Sequence, residues 1–393
     1  MLTRDIADSL AGRLSGIRRD FHMHPELSFK EFETSRKIAE ILSEAGIEIV
    51  NHGLSTGVVG LLRTGKPGPT IALRGDIDAL PVEEQNDVEY RSRVPGVMHA
   101  CGHDIHITAV LGAALILSRM KDQLTGNVKF LFQPAEEINA GARTMLEAGV
   151  MENPHVEAIF GVHNQPDIPA GMVGVKAGAL MAAVDTIGIS VSGVGGHGAL
   201  PHRTVDPIVA GAAIVLNLQT AVSRNTSPLE PAVVSIGTFQ AGTANNVIPD
   251  RVQMTGTVRT FNPELRKAMP STLSRIVEST AQALGATAQL SYRRDLPAVI
   301  NSKEYAEIAT GAVLAVCGEG KVVDPVPSMG GEDFALFLEK APGCFLWLGV
   351  GNRERGIVNQ WHHPRFDADE SSLPVGAAVL AQCVIDANKY LKK

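Results

Sequence analysis

The chain is short of uncharged length, of paired cysteine and of clustered basic charge. No window is apolar for long enough to span a membrane as a helix. The stretch Ile105–Ser118 is too short and is interrupted by His106. Lys and Arg number 35 against 42 Asp and Glu, giving a formal charge of −7 with no compensating basic cluster. That balance argues against a nucleic-acid partner. The four cysteines, Cys101, Cys317, Cys344 and Cys383, include no close pair, so a disulfide framework is not expected. A reducing, cytoplasmic setting fits this usage. The N-terminus, MLTRDIADSL, carries acids where a secretory signal has a basic start and an apolar core, so neither export nor a membrane partner is expected. Internal repeats and low-complexity stretches are missing as well.

The composition that is present, 45% hydrophobic and 20% charged with 39 glycines in 393 residues, is that of a soluble globular protein. The length exceeds one ordinary core, so two domains are expected. Helices are expected at Leu2–Met23 and Phe29–Ala45, and strands at Val58–Arg63 and Thr70–Leu73 around the turn Gly65–Pro69. A helix Asp104–Met120, a buried strand Asn127–Phe132, a helix near Ala142–Ala148 and a strand Ala158–Val162 follow. Apolar strands alternating with helices predict an α/β sheet with helices on both faces.

The pattern changes after about Gly178. Strand Asp185–Ser192, helix Asp206–Arg224, strands Val233–Gln240 and Val252–Arg259, a helical stretch Asn262–Leu284 kinked or broken at Pro270, and strand Thr287–Tyr292 follow in turn. This is the β-α-β-β-α-β order of a ferredoxin-like unit. Helix–strand texture then returns with helices Ser302–Cys317 and Glu332–Lys340, strand Phe345–Val350 and a closing helix Ser371–Leu391. The expected organisation is a discontinuous catalytic domain, residues 1–182 and 295–393, with the compact module 183–294 inserted in it.

Three motifs end in residues that bind divalent metals, and each follows or adjoins an apolar run. They are HACGHD at His99–Asp104, QPAEE at Gln133–Glu137 and GVHN at Gly161–Asn164; WHHP at Trp361–Pro364 is a fourth. Ligands bind open α/β sheets at the C-terminal ends of strands, where Asp76, Asp78, Glu136, Glu137 and His163 are all expected just past a strand. Cys101, His103, Glu136, Glu137, His163 and His362 or His363 offer thiolate, imidazole and carboxylate. That donor set suits zinc and its first-row neighbours. Structural metal sites usually close on Cys pairs within a short span, so ligands scattered along most of the chain point to an active site.

Other residues take supporting parts in this reading. His99 and His106 are read as supporting groups and Asp104 as a helix cap. Of the adjacent Glu136 and Glu137, one can coordinate while the other serves as base. Asp76 and Asp78, in RGDIDALP, share one side of an extended segment, where one could hold an imidazole. In the inserted module GGHGALPH carries His197 and His202 among glycines that permit close backbone approach. Asn246 in NNVIP and Arg259 in GTVRTF stand at strand ends, and arginine is a natural clamp for a substrate carboxylate. Glu332 and Asp333, in GGEDFA, are read as helix-start acids or as part of a substrate pocket.

HACGHD, QPAEE, GVHN, GGHGALPH, MGGEDFA and WHHPRFD, in this order, resemble the metal-dependent amidohydrolases that include hippurate hydrolase, bacterial aminoacylases and plant auxin-conjugate hydrolases. These form one branch of a superfamily with carboxypeptidases and dipeptidases. The likeness runs from HPELSFKE at His24–Glu31 to the closing helix. It implies a metallopeptidase-like catalytic domain with an inserted ferredoxin-like lid and dimerisation module. It also implies two divalent ions, zinc, manganese, cobalt or nickel, held by Cys101, His103, Glu137, His163 and His362. Cys101 would bridge them where other branches carry an aspartate.

By the same resemblance Glu136 is the general base and later the acid, and Asp78 orients the site. His197 reaches a substrate oxygen, commonly in the partner subunit of a homodimer, and Asn246 lies near substrate. The implied reaction splits a small-molecule N-acyl amino acid into a carboxylate and a free amino acid. Two other readings compete: a carboxypeptidase or dipeptidase, which Cys101 argues against, and a catalytically silent metal-binding protein, which Glu136 beside Glu137 argues against. A zinc deaminase would need a Pro-Cys-x-x-Cys element that the chain lacks.

Overall fold

Four apolar runs become the parallel centre of an eight-stranded sheet. In spatial order they are Asn127–Gln133, Thr70–Asp76, Ala158–Pro169 and Gly343–Gly351. Strands buried on both faces need no alternation, which is why these segments read as continuous hydrophobic runs. Every residue of Thr70–Asp76 and of Gly343–Gly351 is buried. Val58–Arg63 and Glu48–Ile49 extend one side antiparallel, and the short strands Val173–Gly174 and Val322–Val323 extend the other.

This computed structural model describes residues 2–392, which fall into two compact units. The first contains the residues up to Leu180, Ile300–Val326 and those from Asp333 onward; the second contains Met181–Val299 and Pro327–Glu332. In the first unit helices Thr3–Met23, His103–Arg119 and Ser372–Tyr390 pack on one another over a shared apolar core. Residues 103–117 are all buried, so this helix is apolar all round rather than amphipathic. Among the described residues no helix is long and apolar enough to cross a membrane.

The second unit has an antiparallel sheet in the order Ala232–Ala241, Arg251–Thr260, Ala183–Ser192, Thr287–Leu296. Strand Ala183–Ser192 alternates buried and half-buried residues, as a sheet with one covered face requires. Helices Pro207–Ser223 and Pro263–Ala283 supply the cover through Ile214, Leu218, Leu273 and Val277. Both helices start with proline after a capping side chain: Asp206 accepts from the Ile208 and Val209 amides, and Asn262 from those of Glu264 and Leu265. The helix expected to be kinked or broken at Pro270 is continuous through it. Interior proline costs about 3 kcal/mol, but burial of Met269, Leu273, Ile276 and Val277 on one side of Pro263–Ala283 offsets it.

Other boundaries differ for local reasons. The second helix begins at Phe32 rather than Phe29, because Phe29 takes a φ of 59°, outside the helical range. The helix expected over 332–340 shrinks to Phe334–Leu338. Asp104 is not a cap. Gly102 precedes the helix with φ 80°, and the Asp104 carboxylate turns to the N-terminal helix instead.

There Arg18, fully buried, donates to Asp104 at 2.7 Å and Asp367 at 3.1 Å and lies 3.5 Å from Glu370. His22 Nδ1 meets the same Asp104 oxygen at 2.8 Å. Burial alone would raise the Asp104 pKa; Arg18 and His22 overcome it and hold the carboxyl far below the usual range. Replacing one partner of a buried pair leaves an uncompensated charge at a cost of about 3–5 kcal/mol. Arg18→Met is therefore expected to lower the urea midpoint by that equivalent. An unchanged midpoint would mean that solvent reaches Asp104.

Candidate metal centre

The C-terminal edge of the parallel strands gathers the chemistry. Asp76 closes strand Thr70–Asp76 opposite Gln133, and His163 lies inside Ala158–Pro169 opposite Trp347. Both were expected just past a strand end. The ladders run longer because backbone pairing continues through Asp76 on one strand and through Asn164 and Gln165 on the other.

Cys101 Sγ lies 3.5 Å from His163 Nε2. His103 Nε2 is 3.8 Å from Glu137 Oε1, and His362 Nε2 is 3.6 Å from Glu137 Oε2. Two donor groups result, Cys101 with His103 and His163, and Cys101 with Glu137 and His362, each with its ligand atoms within 4.8 Å of one another. The thiol belongs to both. Glu136 joins His103 and Glu137 in a third overlapping group. His362 holds its place with a left-handed φ of 64° while its amide donates to Ala100 O at 2.8 Å. The neighbouring His363 accepts from the Arg365 amide through Nδ1 at 3.0 Å, which turns it back on its own loop.

Hydrogen bonds set which ring nitrogens can ligate. Asp78 Oδ1 receives His103 Nδ1 at 3.2 Å and the Glu136 amide at 3.1 Å; Oδ2 receives Ser28 Oγ at 2.7 Å and the Glu137 amide at 3.1 Å. Burial would raise Asp78, but His103 and these donors keep its pKa below the ordinary value. The ionised acid only accepts, so His103 Nδ1 carries a proton and Nε2 points elsewhere. His163 Nδ1 donates to Asn164 O at 2.7 Å, leaving its Nε2 towards Cys101. His106 is the opposite case. Its Nε2 accepts the Asn164 amide at 2.8 Å and its Nδ1 donates to Asp76 at 2.5 Å, so no nitrogen is left for an ion.

The residues fit a metal. Among the described residues, His103 Nε2 and Glu137 Oε1 are buried without a hydrogen-bond partner, within 4 Å of each other. Buried polar atoms are normally satisfied, and two orphans facing one another in a Cys/His/Glu group are explained by a shared cation. The His163 pKa is depressed, by burial first and then by His106, so the ring is neutral as ligation requires. Gly102 is needed at the turn between Cys101 and His103: a Cβ there would lie 2.4 Å from Asn164 Nδ2, which itself donates to Cys101 O.

Without an ion the site holds protons. Burial disfavours charge on His103, but Asp76, Asp78 and Glu137 outweigh it and push the ring up to about 10. Burial, with Glu137 and Glu136 nearby, pushes the Cys101 thiol well up. Both groups are therefore protonated near neutrality and must lose protons when a cation enters. Binding at pH 7 is expected to release about two protons, so affinity rises between about pH 6 and 9. Calorimetry in buffers of differing ionisation enthalpy checks this; an affinity that is flat with pH would remove His103 and Cys101 from the ligands.

The remaining expected residues lie in the second unit. His197 is exposed on a two-residue strand beside Val247, with Nδ1 accepting the Ala199 amide. Asn246 is exposed and its carbonyl accepts the Gly198 amide. Arg259 is half-buried, and Glu332 is buried. Asp333, in the first unit, does not cap its own helix: it accepts from Gln133, Arg74 and the Ala142 amide in the first turn of helix Gly141–Glu147. Sequence reasoning gave no part to Ser28, Glu31, Asn164 or Trp361, which pack around the ligands. The motifs HPELSFKE, GVHN and WHHP that contain them were the available signal.

Overlapping donor groups that share a thiolate, at the carboxyl edge of a parallel sheet with a second carboxylate beside them, define a dinuclear metallohydrolase. The chain belongs to peptidase family M20/M25/M40, which it matches over residues 72–386. It is thus a metal-dependent hydrolase of linear amides. It is 47% identical over 381 residues to N-acetylcysteine deacetylase of Bacillus subtilis (strain 168), covering 97% of this chain and 98% of that protein. It is 42% identical over 373 residues to thermostable carboxypeptidase 2 of Saccharolobus solfataricus, covering 94% of each. Among solved structures it resembles a dinuclear metal binding peptidase of the M20 family from Bacillus subtilis, with a TM-score of 0.87 and 43% identity over 97% of this chain and 99% of that one.

Proposed function

We propose that the protein hydrolyses the amide bond of small N-acyl amino acids, releasing a carboxylate and a free amino acid. One observation carries the reading: a complete Cys/His/Glu donor set with Glu136 adjacent, on a chain 47% identical end to end to a deacetylase of N-acetylcysteine. Cys101, His103, Glu137, His163 and His362 are the residues that hold two divalent ions of the zinc, manganese, cobalt or nickel kind. When bound, such ions polarise an amide carbonyl and lower the pKa of water.

The chain's own groups do the rest. Glu136 takes the proton of the attacking water on its carboxylate and delivers it to the departing nitrogen. Asp78 fixes the ring of His103 and the two amides of the Glu136–Glu137 turn. His197 and Asn246 contact substrate oxygens, Glu332 lines the pocket, and Arg259 receives the substrate carboxylate as a bidentate clamp. A buried Arg259 Nη1 with no partner among the described residues supports this last assignment. The second unit acts as a lid that excludes water and as the homodimer surface. Helix Pro207–Ser223, which leaves Val209 55% and Leu216 73% exposed, supports the latter.

Glu136→Gln is expected to keep its metal, by plasma emission, while losing turnover about 10²–10⁴-fold. Retained turnover would move the base elsewhere. Cys101→Ala is expected to lose bound metal, and unchanged metal content would remove the thiol from the centre. Free-amine release from N-acetylcysteine, hippurate and dipeptides, using zinc- or manganese-loaded protein, tests the substrate class. Dipeptide cleavage alone would shift the reading to a carboxypeptidase or dipeptidase.

A further inference from the structure

The motif HPELSFKE lies outside the ligand set, yet residues 26–31 run directly beneath it. The Ala79 amide donates to Glu26 O at 2.8 Å, and Leu27 bridges Ala79 in parallel, so this segment lies along the one that carries Asp78. The Glu26 carboxylate receives the Thr34 amide at 2.8 Å and the Glu33 amide at 3.3 Å, which closes residues 26–34 into a loop on the start of helix Phe32–Glu44. Between these anchors two side chains reach out. Ser28 Oγ donates to Asp78 Oδ2 at 2.7 Å, and Glu31 Oε1 accepts the Ala135 amide at 2.9 Å.

Ala135 immediately precedes the general base and is buried with a left-handed φ of 52°. Such a conformation in a residue with a Cβ costs free energy and persists only where surroundings over-determine it. The loop is closed above by the Ala140 and Gly141 amides on Ala135 O. Gly141 packs so close that a Cβ would meet Pro134 O at 1.5 Å. Below, three successive amides are gripped: Ala135 by Glu31, and Glu136 and Glu137 by Asp78, which Ser28 steadies.

We infer that residues 26–31 form a clip, with Ser28 and Glu31 as positioning residues that hold the Ala135–Glu136–Glu137 turn in its reactive direction. The inference rests on the proposed reading of Glu136. Without Glu31 the Ala135 N–H is a buried donor lacking an acceptor, and the turn relaxes from its left-handed backbone.

The test uses full-length, zinc-loaded protein and the variants Glu31→Ala, Glu31→Gln and Ser28→Ala. In Glu31→Ala, hydrogen exchange of the 134–141 amides is expected to quicken about tenfold or more. Its kcat on N-acetylcysteine falls comparably, while KM stays as in the wild type. Glu31→Gln keeps an oxygen acceptor and is expected to stay within about threefold of wild type in both readouts. Wild-type exchange over 134–141 in Glu31→Ala, or an unchanged kcat, would overturn the clip. If Glu31→Ala does not fold, Ser28→Ala decides: the Glu136 and Glu137 amides exchange faster and kcat falls, or the proposal is wrong. A wild-type protein inert towards every N-acyl amino acid would refute the functional reading, whereas the exchange data would still decide whether the clip holds the turn.

Discussion

Asp78 is 1% exposed and takes hydrogen bonds from Ser28, His103, Glu136 and Glu137. An ionised carboxylate buried without partners would cost several kcal/mol, so its place is set by the donors that surround it. Because both oxygens are shared between backbone amides and a side chain, the position of His103 is tied to the position of Glu136. A shift of Glu136 would break bonds that also orient the His103 ring. His103 and the Glu136–Glu137 turn therefore move as one body.

Buried charge recurs around this point, and its service is geometric more than energetic. Arg74 joins Asp76, Gln133 and Asp333, so neighbouring strand ends and the segment before helix Phe334–Leu338 share one set of bonds. Arg18 joins the first helix to Asp104, next to His103, and to Asp367, five residues beyond His362. Such pairs add little net stability compared with apolar packing, but a shift of register would leave a charge uncompensated.

Much of this was legible in the residues themselves. The continuous apolar runs foretold buried parallel strands, alternation foretold the one-sided sheet, and the order of elements in the second unit followed from both. The candidate residues Cys101, His103, Glu137 and His163 stood out by type, and the fold brings them into overlapping groups of donors. What escaped depends on contacts between residues far apart in sequence, which periodicity does not encode. Ser28 meets Asp78 and Glu31 meets Ala135 across such distances. The tautomer that removes His106 from the ligands is decided by an amide of another strand. Asp104 and Asp333 looked like caps because a helix start explains an acid locally, whereas their partners Arg18 and Arg74 lie elsewhere in the chain. The break allowed for at Pro270 does not occur for the converse reason: a local rule was outweighed by packing on the rest of its helix.

The discontinuity of the first unit has a consequence for biosynthesis. Strand Ala158–Pro169 leaves the ribosome with its neighbour Thr70–Asp76, but its other partner, Gly343–Gly351, follows only after the whole of Met181–Val299. At about 5–20 residues per second that interval lasts roughly ten to forty seconds. During it the second unit, continuous over Met181–Val299, can fold while the first presents an unpaired apolar strand edge, the kind of surface that invites association and chaperone attention. His362 emerges later still, so the candidate centre is among the last parts of the molecule to be completed.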